Sequence, residues 1–465
     1  MKNYNAEQKS IIFVVIITAF VTTFTGSALN LSIPAMCEEF GVSAGTIGWV
    51  ITGYMLAIAA LSVPFGRLAD MTRKKRVFIP GLLIFSLSSL MSVFAWSFTI
   101  MLMLRVLQGI GAAMIFSTNV AILISAFPGA ERGKVLGYSI ASTYVGLSAG
   151  PVIGGLLNHH FGWRSIFILT CVISAMVFLI ALKKLPEAES QDKPSFDARG
   201  NVLYVVMIVS GMYGFSAIAT SKFALAAIVL GVVLFIWFVR HELKIENPVI
   251  QIRVFTKNIA YAFSNIAALL NYGATFAIGY LLSIYLQVVL GHTSQIAGLI
   301  LIAQPFVMAV CSPYAGRLSD KVSPFKLASL GMALCAAGIV MLIFINSDYP
   351  LWLIIAALVV TGIGVGFFSS PNTNAVMACV EEKDYGVASS ILATMRSIGH
   401  TLSMAIVTLI VSMYMGGSAL TDAEPEVLIQ TMRVSFIIFA VICIVGIFVS
   451  AKRKSVNCSK QQKRF

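Results

Sequence analysis

Fourteen apolar runs, most of them close to twenty residues long, leave this chain few ways to fold. They fall at about 11–35, 46–66, 77–96, 98–125, 135–158, 163–182, 200–219, 223–240, 259–289, 295–316, 325–346, 351–378, 386–414 and 431–451. Roughly 20 apolar residues in an α-helix cross a bilayer core, and inside it every backbone polar group must be satisfied within the protein. A soluble domain does not carry such runs. The expected fold is therefore an all-α membrane protein with 14 transmembrane helices and the lipid bilayer as its main partner. Only 11% of the residues are charged, and the mean hydropathy is +0.91, which agrees.

The few charges set the orientation. Gly66 to Arg76 reads GRLADMTRKKR and joins two apolar runs. A short loop this basic belongs on the cytoplasmic side. With that loop inside, all but five of the 32 Lys and Arg fall in cytoplasmic segments; the five are Arg105, Arg164, Lys222, Arg396 and Arg433. The net charge of +13 is thus mostly topological, and a nucleic-acid partner is not expected. An even number of spans places both termini in the cytoplasm, with a basic tail at 452–465. No small-residue cleavage site follows Lys2 and Lys9, so the first span is expected to be retained. The seven cysteines are scattered without a C-x-x-C pair, so neither a disulfide framework nor a metal site is expected from them.

The chain also repeats itself. Gly316 to Lys326 reads GRLSDKVSPFK, an echo of the first loop 250 positions on. Such duplication is the plan of many secondary transporters. It divides the chain into a first six-helix bundle (1–182), cytoplasmic linkers with an inserted two-helix hairpin (183–258), a second six-helix bundle (259–451) and the tail. The hairpin carries few polar groups and is expected at the periphery. Gly66, Arg67, Asp70, Arg73, Gly316, Arg317 and Asp320 are the candidate gating residues of the two loops. An Asp that pairs with a neighbouring Arg in one conformation and releases it in another would latch the bundles.

Polar residues inside apolar spans mark a watery interior, because an ionised group facing lipid is costly. Arg105 and Gln108 share a face of the fourth span, and Arg396 and His400 share a face of the thirteenth. Arg105 either lines a hydrated cavity or locks helices together through backbone carbonyls. His400 is the one histidine of five inside a span, and it is either a proton carrier or a neutral hydrogen-bonded group. Thr25, Asn30, Tyr144, Asn265, Asn271, Gln304 and Asn372 complete the candidate cavity lining. No Asp or Glu falls at mid-membrane. In the fifth span Gly146, Gly150 and Gly154 recur every four residues beside Pro151 and Gly155. Small residues let helices approach closely and proline bends them, which makes a surface for a neighbour to rock against.

These features resemble the major facilitator superfamily, and within it the fourteen-span drug:proton antiporters, over nearly the whole chain. Gly66–Arg76 is similar to that family's loop between spans two and three, and Arg105, Gln108 and Gly109 to its Arg-x-x-Gln-Gly pattern. The glycines around Pro151 are similar to its span-five antiporter motif, Trp163, Arg164 and Phe167 to the start of its span six, and Arg396 and Gly399 to its penultimate span. In the first span Asn30 and Pro34 fit the pattern, but Thr25 stands where the family often has Asp. The resemblance implies a major-facilitator-type fold, alternating access and export, with protons and a small-molecule substrate as partners.

The expected function is secondary active transport: proton-coupled export of small amphipathic molecules of the multidrug type, or export of an anionic or neutral metabolite. No P-loop occurs, so ATP use, a cofactor and an enzymatic activity are not expected. The expected setting is the cytoplasmic membrane, with the protein acting as a monomer.

Overall fold

The computed structural model describes residues 5–127, 129–185, 197–218, 221–245, 248–250, 252, 255, 258–319, 321–380, 385–415 and 424–452. Among them the long elements are all helices. We number them α1 (Ala6–Phe40), α2 (Ala44–Ile47 continued by Trp49–Met71), α3 (Lys74–Val93), α4 (Phe98–Ala126), α5 (Gly129–Phe161), α6 (Arg164–Lys184) and α7 (Ala198–Ser216). Then follow α8 (Ala224–Glu242), α9 (Ile259–Val289), α10 (Ser294–Ser319), α11 (Pro324–Ile343), α12 (Leu351–Met377), α13 (Tyr385–Met415) and α14 (Pro425–Ala451).

Thirteen of the described helices are long and apolar enough to cross a membrane, one fewer than the fourteen expected. The exception is α7, whose first turn carries Arg199 and Asn201. Two of its polar groups bond to nearby backbone carbonyls. Asn201 Nδ2 donates to the Asp197 carbonyl at 2.7 Å, and Tyr204 Oη donates to the Ala59 carbonyl of α2 at 3.0 Å. The helix pairs with α8 along its length and also touches α2 and α13, so it fills a fourteenth place. Helix α8 packs chiefly on α7 and turns Leu225, Val229, Val232, Phe235 and Ile236 outward. The inserted hairpin is peripheral.

Helices α1–α6 pack on one another, as do α9–α14. The two halves meet along α2 with α13 and α5 with α10. Duplication is visible in the packing. Gly81 in α3 and Gly331 in α11 stand 250 positions apart, and each brings its helix against the next. A Cβ on Gly81 would lie 2.6 Å from Met114 Cβ, and one on Gly331 would lie 2.5 Å from Phe368 N. The first helix of each half is also broken at matching depth. Helix α1 changes to a tight 3₁₀ turn at Leu29–Ser32, and α9 is interrupted between Thr275 and Ile278.

Alternate traverses put Ala6 and Ala451 on one side, the near end, and the turns at Gly41, Gly162 and Gly291 on the other. Each of these glycines has positive φ (59°, 74° and 67°), the conformation a side chain resists. At this far end the halves touch backbone to backbone. A Cβ on Gly155 would lie 2.3 Å from the Ser294 carbonyl oxygen, and one on Gly298 would lie 2.0 Å from the Pro151 carbonyl oxygen. Ser294 Oγ donates to the Gly155 carbonyl at 3.1 Å, and Ser283 Oγ to the Asn30 carbonyl at 2.8 Å. On the other seam Thr52 and Thr408 hydroxyls lie 3.3 Å apart.

Candidate transport site

The break in α9 is where polar and aromatic chemistry from both halves converges. The helix loses its regular bonding at Phe276–Ala277, and Ser403 Oγ of α13 accepts the Ala277 amide at 3.0 Å. Broken helices are tolerated at membrane depth only where protein or water satisfies the freed groups. One turn before Ser403, His400 stacks on Phe276 with ring centroids 4.3 Å apart and meets Tyr272 edge-on at 5.4 Å. One turn earlier again, the Arg396 guanidinium lies 5.2 Å from the Tyr272 ring centre. Arg396 Nε is buried without a hydrogen-bond partner among the described residues. From the other half, Tyr144 Oη of α5 lies 2.9 Å from Ser369 Oγ and 3.4 Å from Ser312 Oγ, and is within electrostatic reach of Tyr272. Asn30, in the 3₁₀ turn of α1, keeps a buried Oδ1 without a partner among the described residues.

This arrangement offers aromatic faces, one unpaired guanidinium N–H and scattered hydroxyls. A cation beside an aromatic ring is held by the ring quadrupole, yet keeps its donors for an incoming acceptor. No carboxylate lies within ion-pair distance of Arg396 among the described residues.

Arg105 lies elsewhere. It is fully buried inside the first half. Nε donates to the Val50 carbonyl of α2 at 3.0 Å, an NH1 proton goes to Gln108 Oε1, and the guanidinium sits 4.1 Å over the Tyr54 ring. Gln108 Nε2 passes the chain on to Ser89 Oγ of α3 at 2.7 Å. One turn on, a Cβ at Gly109 would lie 2.6 Å from the Tyr54 carbonyl oxygen. Of the two readings open for Arg105, the helix-locking one describes this geometry.

Other expected lining residues bond within their own half. Thr25 bonds the Val21 carbonyl at 2.7 Å and Thr170 Oγ1 of α6 at 3.0 Å. Asn271 reaches Cys335 Sγ of α11 at 3.6 Å, Asn265 donates to the Tyr261 carbonyl at 3.0 Å, and Asn372 donates to the Ser264 carbonyl at 3.2 Å. All four side chains are buried. Gln304 is half-buried on α10, and its backbone carbonyl rests against Gly362.

The glycine stripe of α5 divides its work. Gly146, Gly150 and Gly154 seat α1 within the same half, where added Cβ atoms would come within 2.6 Å of Phe20, Ser27 and Ala28. Pro151 and Gly155 face the other half. In the gating loops, Arg67 has no bond to the second loop among the described residues. It donates to the carbonyls of Pro248 and Val249, just beyond the hairpin. Gly316 packs on Ser370 and Arg317 is exposed, whereas Asp320 and the side chain of Asp70 lie outside the described residues. Arg73 precedes α3 in extended conformation.

Sequence reasoning missed Tyr272, Phe276, Ser312, Ser369 and Ser403. Tyr272 and Phe276 are four apart, like Arg396 and His400, and that matched spacing on facing helices was the available signal.

Two helical halves of common design, each with a broken first helix and meeting around a polar centre, define a secondary-transporter architecture. The chain belongs to the Major Facilitator Superfamily: the family's model matches residues 15–249 and 265–463. It is a multi-pass membrane transporter and not an enzyme. The riboflavin transporter RibZ of Clostridioides difficile is 29% identical over 447 residues, covering 96% of this chain and 97% of its own. The multidrug resistance protein Stp of Mycobacterium tuberculosis is 28% identical over 81% of this chain and 71% of its own. Among solved structures, a bacterial homologue of the human lysosomal transporter Spinster aligns with a TM-score of 0.69 at 15% identity, over 97% of this chain and 98% of that one.

Proposed function

We propose that this protein is a proton-driven exporter of small amphipathic aromatic molecules in the cytoplasmic membrane, with its pocket chemistry favouring neutral or anionic cargo. The observation that carries this reading is Arg396, set over Tyr272 beside the Phe276–His400 stack, with its Nε unpartnered and no acid pairing with it among the described residues. Planar rings stack on the aromatic faces, and an acidic or carbonyl group accepts from the guanidinium. A cationic cargo would meet like charge. RibZ, named for riboflavin, and Stp, named for multidrug resistance, are both compatible relatives.

In this reading residues 1–182 and 259–451 rock about the site. The basic charge of the Gly66–Arg76 loop supports a cytoplasmic near end. The far-end contacts of Gly155 and Gly298 are then the external seal. A proton gradient supplies the drive. A broader multidrug exporter that accepts cations is the second reading, favoured by the relatives' names.

Proteoliposomes loaded with a planar organic anion, a neutral flavin or a lipophilic cation, under an imposed pH gradient, separate the two. The expected result is gradient-dependent movement of the anion or the flavin that falls about tenfold or more in Arg396→Ala, the loss of one charge-assisted hydrogen bond. Cation movement that survives Arg396→Ala would overturn the preference for neutral and anionic cargo.

A further inference from the structure

The base of the peripheral hairpin holds a cluster that transport does not use. Asp197 caps the start of α7, its Oδ1 accepting from Gly200 N at 2.9 Å. His241, in the last turn of α8, lies with Nε2 2.9 Å from Asp197 Oδ2 and 3.1 Å from Oδ1. Glu242 follows it and is only 2% exposed. Its Oε2 accepts from the Ile250 amide at 2.7 Å, while its Oε1 is buried with no hydrogen-bond partner among the described residues. One ligand atom from each of the three residues lies within 4.8 Å of the other two.

A buried carboxylate oxygen left bare next to a second carboxylate is an arrangement that proteins avoid unless something positive joins it. Gly200 is what permits the approach: a Cβ there would lie 2.1 Å from Asp197 Oδ2 and 2.7 Å from Glu242 Oε1. The only other cation with electrostatic influence on Glu242 among the described residues is Arg67, whose own donors go to Pro248 and Val249. We propose that Asp197, His241 and Glu242 bind a first-row divalent transition-metal ion, of which Zn²⁺ is the probe of choice. One imidazole nitrogen with two carboxylate oxygens suits Zn²⁺ or Mn²⁺ better than Mg²⁺ or Ca²⁺, which prefer oxygen alone.

The ion joins the first residue before α7 to the end of α8, and so closes the two ends of the hairpin on each other. Glu242 and Arg67 both bond to the same short stretch, Pro248 to Ile250. Metal binding therefore fixes the hairpin base to the end of α2, and with it the α7 face that spans the α2–α13 seam.

The test uses the full chain, purified in detergent with an affinity tag free of histidine. Elemental analysis and titration with Zn²⁺ alone are expected to give one tight equivalent per chain and a raised melting temperature, with Mg²⁺ giving neither. His241→Ala is expected to weaken Zn²⁺ at least about 100-fold, since losing even an outer-shell partner costs 10–100-fold. Glu242→Gln keeps an acceptor for the Ile250 amide, and thereby the local fold, and is expected to lose the thermal shift as well. A double variant at His159 and His160, which adjoin each other elsewhere, is expected to bind as the unchanged chain does. Absence of a stoichiometric site in the unchanged chain overturns the proposal, as does a site that persists in both His241→Ala and Glu242→Gln.

Discussion

Gly298→Ala is expected to cut transport at least about tenfold while the protein still inserts and folds. The new methyl would lie 2.0 Å from the Pro151 carbonyl oxygen, on a backbone that cannot move aside without moving α5. Local preference points the other way, because Ala is a better helix former than Gly by about 1 kcal/mol. A purely local account therefore predicts a harmless or stabilising change. Overpacking costs about 1–3 kcal/mol, and here the strain is relieved by separating α5 from α10 at the far end. Every 1.4 kcal/mol shifts a two-state equilibrium tenfold, so the sealed conformation is depopulated and the cycle stalls. Gly155→Ala, with its contact of 2.3 Å to the Ser294 carbonyl oxygen, is expected to behave alike. Gly154→Ala is the control. Its clash is with Ala28 of α1, in the same half, so it should lower the melting temperature without opening the seam. Spin-label distances between His160 and His292, across the α5–α10 seam, read the difference. An unchanged distance distribution in Gly298→Ala, with normal flux, would refute the role given to this seam.

The contrast between these glycines shows what a sequence of this kind reveals and what it hides. Length and apolarity announce each span, and the Gly-Arg-Leu repeat announces the duplication, because both signals survive in a single string. Rotation of a helix about its own axis does not survive. In a bilayer the lipid-facing side is as apolar as the packed side, so the polar stripe that orients a soluble helix is missing. Asn271 and Tyr272 are neighbours in sequence, but one turns to Cys335 and the other to Arg396 and His400. Polarity nominated the first and overlooked the second. Thr25 was nominated by its place in a family pattern, yet it bonds Thr170 inside its own half. The stripe in α5 was legible as a close-packing surface, while its division between α1 and α10 depends on which way Gly155 faces. Asp197, His241 and Glu242 were invisible for a different reason. They sit at the ends of separate helices, where charged residues are ordinary, and only the hairpin brings them together.

Arg105→Ala and Arg396→Ala, the same substitution in two apolar spans, are expected to fail in opposite ways. Arg105 is part of a closed network: Val50 carbonyl, Gln108, Ser89 and the Tyr54 face account for it on three helices. Removing it leaves Gln108 Oε1 and the second lone pair of Val50 without a donor and empties a fully buried volume. Hydrogen bonds from a charged group contribute about 1.5–3 kcal/mol, and a large-to-small change in a core costs about 2–5 kcal/mol. These terms overlap, and a loss of about 3–5 kcal/mol is the expected sum, comparable to breaking a buried ion pair. The variant should express poorly and melt several degrees lower, with or without cargo. Arg396 shows no such network among the described residues, since its Nε is already unpartnered and its guanidinium rests beside the Tyr272 ring. Its removal relieves an uncompensated charge, so the melting temperature of the cargo-free protein should hold or rise. What disappears is the stabilisation by bound cargo, because the donor that the cargo engages has gone. Melting curves of both variants with and without a planar anion distinguish the two roles in one experiment. If Arg396→Ala melts as low as Arg105→Ala and the anion still stabilises it, Arg396 is a packing residue and the site lies elsewhere.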